Sequence, residues 1–229
     1  IITNFKENDI LYDIFYRLNS GSVPLSTQEL RQVLNRGEFA NYLIATTNDI
    51  QPIHLVMKLT EPDKRLRDIE VLLRCISMVL FGNNYTGNLK VFLDNSMGII
   101  TKEWEKYETA VNNIYKRINH SIEILKNIFG DYVIVGRKFT DGKPEKRFNR
   151  VLFEVQMFFF IHLNEKLINQ ATTKLFIENF IALCQNDYDF RNSIEASTKN
   201  IDNYRIRFSK FQDLMNKSFG DTIDTNPFK

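Results

Sequence analysis

Residues 101–130 read TKEWEKYETAVNNIYKRINHSIEILKNIFG. Trp104, Tyr107, Val111, Ile114, Ile118, Ile122, Leu125 and Phe129 recur every three or four positions. That spacing lines one face of a long helix, with Thr101 as its cap and Gly130 as its stop. Reading outward, Leu89 to Met97 makes a short helix. Pro62 to Phe81 makes a longer one, with Leu66, Ile69, Leu73, Ile76 and Leu80 on one face and Gly82 at its end. Helices are also expected over 38–46, 51–59 and 10–18, the last capped by Asp9. Ser26-Thr27-Gln28-Glu29 is a capping box, so a helix runs from there to about Arg36 and stops at Gly37. Downstream of Gly130 the period changes. Tyr132-Val133-Ile134-Val135 has strand composition and Asp141-Gly142 is a turn signal. Helices resume at 149–164, 172–185, 187–196 and 199–217. The fold class is therefore mainly α: a multi-helix single domain over 1–219, with a small hairpin or extended insertion around 131–148 and a tail, 220–229, expected to fray.

Composition agrees with a packed domain. The chain has 229 residues, 43% of them hydrophobic, which excludes a disordered tail protein. Thirty Lys and Arg against 28 Asp and Glu leave a net charge of +2, so no general attraction to nucleic acid follows and a basic surface must be local. Cys75 and Cys184 sit in apolar runs and read as buried free thiols. With only His54, His120 and His162 beside them, they offer no metal-ligand spacing. The greasiest stretch, Val151 to Leu163, carries Glu154, Gln156 and His162 and falls short of the roughly 20 apolar residues a membrane span needs. A cytoplasmic protein is expected, with no membrane partner. Ile1-Ile2-Thr3 looks like the end of a strand, and the chain is expected to lack its front.

Residues 14–31 read IFYRLNSGSVPLSTQELR. This segment resembles the I-F-x-R-I/L-N-S/T-G signature, followed by L-S/T-x-Q-E-I/L-R, of the GmrSD-type restriction endonuclease N-terminal domain, a prokaryotic family. Four later segments resemble the same family in the same order: Arg67 to Arg74, Leu89 to Asp94, Phe148 to Glu154 and Tyr204 to Phe208. The resemblance implies a ParB/sulfiredoxin-like front portion bearing a D-G-Q-Q-R motif, absent here, with NTP and Mg bound by the full-length protein and none by this chain alone. It also implies a restriction or phage-defence role, and DNA and an H-N-H-type nuclease domain or subunit as partners. Gly21-Ser22 stands where the family more often has Gly-Gly.

The same residues have a physical reading. Arg17, Asn19, Ser20 and Gly21, with Gln28 and Arg31 on the capped helix that follows, suit a phosphate cradle. A guanidinium fork binds phosphate bidentately, and a helix N-terminus offers free amides. The alternative is a structural corner in which Arg17 pairs with Glu29, and Arg31 and Arg36 form a solvated face. Asp63, Lys64, Arg65, Arg67 and Asp68 read as alternating charges on a helix exterior. Arg74 lies inside an apolar run and requires a carboxylate. The densest basic cluster is Arg137, Lys138, Lys143, Lys146, Arg147 and Arg150, interleaved with Phe139 and Phe148. Lys143, Lys146, Arg147 and Arg150 are its nucleic-acid candidates. No catalytic set is legible: Arg117 and His120 are too close for a helical ribonuclease motif, and His162 reads as core.

Overall fold

The computed structural model describes residues 24–220 together with 227 and 228. Among these it has ten α-helices, short 3-10 turns and one two-stranded sheet. The amphipathic segment at 10–18 lies outside the described residues. The helices are α1 (Thr27–Leu34), α2 (Glu38–Thr47), α3 (Pro52–Met57), α4 (Arg67–Phe81), α5 (Leu89–Lys102), α6 (Trp104–Phe129), α7 (Arg150–His162), α8 (Gln170–Asn186), α9 (Tyr188–Glu195) and α10 (Ile201–Phe219).

Helix α7 is the axis of the core. Every residue from Val151 to Ile161 is buried, which a helix achieves only when neighbours surround it. Helices α4 and α6 pack on one side and α10 on another. The back of α7 meets α8 and α10 through phenylalanines: Phe159 stacks on Phe211 at 5.4 Å and Phe160 meets Phe176 edge-on at 5.4 Å. The expected start of α7 holds, because the Asn149 side chain accepts from the amides of Val151 and Leu152, both at 3.0 Å. Gly220 closes α10, and the ring of Phe228 packs against Phe208 at 4.9 Å.

Three boundaries differ from the sequence reading. The long helix starts at Trp104, not at Thr101: α5 continues through buried Ile100 to Lys102, and Glu103 alone joins the two helices. Pro62 lies outside α4, which begins at Arg67 because Leu66 adopts a left-handed φ of 55° that interrupts the helix. Residues Tyr132–Ile134 form a 3-10 turn capped by Asp131 instead of a strand. The strands lie further on, β1 (Phe139–Thr140) and β2 (Lys143–Pro144), antiparallel with Thr140 opposite Lys143. Asp141 and Gly142 both have positive φ, 50° and 72°, the two-residue turn that an Asp-Gly pair favours.

Candidate nucleic-acid interface

The corner at 24–37 is built inward. Ser26 and Glu29 complete the capping box: the Ser26 hydroxyl accepts from the Glu29 amide at 3.1 Å and the Ser26 amide donates to the Glu29 carboxylate at 2.5 Å. Arg65 clamps the corner, donating to the Pro24 carbonyl at 2.6 Å and pairing with Glu29 at 3.1 Å. Arg31 is only 2% exposed and so leaves the solvated face, on which Arg36 remains. Its Nε donates to Asp94 at 2.6 Å and its Nη1 to the Gln28 side-chain oxygen at 2.5 Å. Gln28 and Arg31 are thus brought together, on a carboxylate of α5. Arg17, Asn19, Ser20 and Gly21 lie outside the described residues.

The basic segment at 137–150 divides in two. Arg137 is buried; it donates to the carbonyls of Val56 and Val135 and lies over the Phe148 ring at 5.3 Å. Burial lowers its pKa. Lys138 is tied to Glu145 at 3.1 Å and to Glu195. Lys143, Lys146 and Arg147 are exposed, and so is Arg150, which pairs with Glu70 at 3.0 Å. Arg147 and Arg150 line a cleft of about 410 Å³ together with Asn149, Thr198 and Glu195. Phe139 is buried against Phe180, whereas Phe148 packs on Phe153 but stays half-buried and lines the same cleft as Arg147 and Arg150. Gly136 fixes this arrangement, since a Cβ there would sit 2.5 Å from the Phe148 ring.

A second cleft, of about 600 Å³, lies beside the hairpin turn. Lys138, Thr140, Asp141, Gln185, Tyr188, Arg191 and Glu195 are among its lining residues. With its amide oxygen toward the turn, Gln185 accepts from the backbone amides of Asp141 at 2.8 Å and Gly142 at 2.6 Å, so α8 holds the hairpin in place. Cys184 lies beneath, its thiol pushed up to about 12 by burial. Tyr188 is the aromatic residue that the sequence reading missed; flanked by Asp187 and Asp189, it carries no basic neighbour to mark it.

Behind this face lies a buried charged cluster. Arg74 meets the carboxylate it requires: its Nε donates to Glu154 at 2.8 Å, with the two side chains 5% and 1% exposed. Burial acts to lower the Arg74 pKa, but Glu154, Tyr204 and Glu70 together outweigh it and the net shift is upward. Arg207 donates to the carbonyls of Ser193 and Thr198, both at 3.1 Å, and its guanidinium lies 3.4 Å from the centre of the Tyr204 ring. Burial, then Glu154, raises the Tyr204 pKa. Outward, Glu70 bridges Arg74 (3.9 Å) and Arg150 (3.0 Å), so charges alternate from the 410 Å³ cleft to the core. Further forward, Asp68 is not on an exterior face. It is 1% exposed and accepts from His54 Nε2 at 2.9 Å, while His54 Nδ1 accepts from the Gln51 amide. Both His54 nitrogens are therefore spent on structure, and their separation of 14 residues hid the pair from sequence reading. Among the described residues no group of three or more His, Cys, Asp or Glu could hold a metal ion.

No protein-family model, curated protein or solved structure matches this chain. Of the segments quoted above, Arg31 meets Asp94, and Arg74 meets Glu154 beside Tyr204 and Arg207. No described helix is long and apolar enough to cross a membrane.

Proposed function

We propose that this chain is the helical part of a prokaryotic, restriction- or defence-associated, NTP-dependent DNA-acting protein of the GmrSD N-terminal type, working in the cytoplasm. Its own contribution is a surface that contacts nucleic-acid phosphates. One observation carries this reading: Arg137 and Lys138 are spent on carbonyls and carboxylates, while Lys143, Lys146, Arg147 and Arg150 of the same short segment stay exposed, Arg147 and Arg150 in the wall of a cleft. Exposed cations clustered on one face neutralise phosphates and release counterions. The nucleotide role rests on the 14–31 resemblance. In it Arg17, Asn19, Ser20 and Gly21 contact the phosphates of an NTP-Mg complex on the ParB-like portion, and Gln28 and Arg31 form the strut behind them.

A second reading, a helical interaction module with no nucleotide or DNA role, draws on the way Arg31 is consumed by Asp94 and Gln28. The two separate in a DNA titration of wild type and of the Arg147→Glu/Arg150→Glu variant at 50 and 200 mM salt. Lys143→Glu/Lys146→Glu is run beside it, because that pair leaves Glu70 untouched. The proposal expects weaker binding in both variants and a salt slope smaller by roughly one unit per phosphate contact removed. Unchanged binding would remove the phosphate surface, and the interaction-module reading expects no binding in wild type either.

A further inference from the structure

The 600 Å³ cleft adjoins the 410 Å³ one: Glu195, paired with Lys138, lines both. We propose that this cleft receives one unpaired base of a single-stranded or locally opened nucleic acid, stacked on Tyr188. The inference rests on the adjoining cations being phosphate contacts, as proposed above.

Tyr188 is 69% exposed, so its ring contributes little to the core. Its backbone is nonetheless rigidly held. Asp187 caps α9 by accepting from the Phe190 amide at 2.9 Å and is itself paired with Lys210 at 2.7 Å. The Phe190 side chain is fully buried, and Arg191 donates to the Gln185 carbonyl at 2.8 Å. An aromatic ring standing on such a base over a cleft is a stacking platform, and base–aromatic stacking tolerates any sequence because every base has a π-face.

The chemistry of the cleft favours a base over a phosphate. Asp141 and Glu195 balance Lys138 and Arg191 in its lining, so it holds no excess positive charge for a phosphate, while Thr140, Asn186, Asn192 and Arg191 offer the hydrogen-bonding groups that a base edge matches. Its volume lies in the range of small-molecule pockets, about 300–1,000 Å³. The phosphates flanking that base would follow the wall shared at Glu195 into the 410 Å³ cleft, where Arg147 and Arg150 stand. A closed duplex keeps its bases stacked inside and cannot present one to Tyr188, so the site selects opened strands.

The test is fluorescence anisotropy of the full chain with three labelled 12-mers: a single strand, the same strand with its internal bases removed, and the duplex. Wild type is expected to bind the intact strand at least fivefold more tightly than the abasic one. Tyr188→Ala should abolish that ratio, Tyr188→Phe should keep it, and neither should alter duplex binding. A ratio of one in wild type, or one that survives Tyr188→Ala, overturns the base site. If Arg147→Glu/Arg150→Glu still weakens binding in that case, the phosphate surface stands and the base site alone falls. Absence of binding to all three 12-mers removes both. Circular dichroism of each variant, matched to wild type, excludes unfolding as the cause.

Discussion

The corner at 26–37 and the segment at 136–150 both gather arginines next to a turn, and they use them in opposite ways. At the corner, Arg31 reaches across to Asp94 on α5 and holds Gln28 as a second partner, so the charge vanishes from the surface. At the hairpin, Arg137 turns inward onto carbonyls while Arg147, ten positions later, stays in water. The difference is one of available acceptors. A guanidinium leaves solvent when a neighbouring element offers oxygens at the right distance, because an unpaired buried charge costs several kcal/mol. Beyond Lys143 the hairpin has solvent on its outer face and no such acceptor for Lys146 or Arg147 among the described residues.

The sharpest way to break this contrast is to remove a buried acceptor. Glu154→Ala would leave Arg74 buried without its carboxylate and should cost about 3–5 kcal/mol of stability in urea denaturation, the range for breaking a buried pair. The double variant Arg74→Met/Glu154→Ala should cost clearly less than the sum of the singles, since the two act as one unit. Equal and additive losses would show that the pair is not coupled.

Next in size is the corner. Arg31→Ala should cost about 2 kcal/mol, within the span for hydrogen bonds to charged groups, because Asp94 is 27% exposed and can rehydrate. Thermal melts measure it. A loss confined to nucleotide affinity, with no change in melting, would make Arg31 a ligand and erase the distinction from Arg147.

Alkaline pH sharpens the contrast from inside. Burial, then the Glu154 charge, pushes the Tyr85 hydroxyl up to about 12, and burial pushes Tyr42 to about the same value. An unfolded tyrosine ionises near 10. Above that pH the unfolded chain binds fewer protons than the folded one, so the stability present below pH 10 should fall progressively toward pH 12. Urea melts at pH 9, 10 and 11 test this, and Tyr85→Phe should flatten the slope.

Helix positions and caps were legible because they depend on neighbours within a few residues. The Ser26 box, the Asn149 cap and the Gly130 stop each act inside one turn of backbone. The joint at Glu103 was not legible, since Thr101 is as good a cap and only the burial of Ile100 keeps α5 going past it. Tyr132 to Val135 has strand composition but gains no partner strand, and Val135 buries instead beside a 3-10 turn. For the candidate site, the exposed half of the basic segment was readable as charge density. Which cations stay outside, and that Phe139 is buried while Phe148 keeps a place in the cleft wall, depends on contacts far apart in sequence, such as Arg137 on Val56, 81 positions away, and Asn149 on Ile194, 45 away.

The alternating charges that run inward from Arg150 have a practical consequence for ionic strength. Their outer rung, Arg150 with Glu70, is 51% and 20% exposed, whereas Arg74 with Glu154 is almost dry. Dissolved ions shield the first and barely reach the second. Raising the salt should therefore strip a bound polyanion from the hairpin face while leaving the melting curve of the helical body nearly where it was. A purification that washes the immobilised protein with concentrated salt would then yield intact, ligand-free molecules, ready for binding measurements.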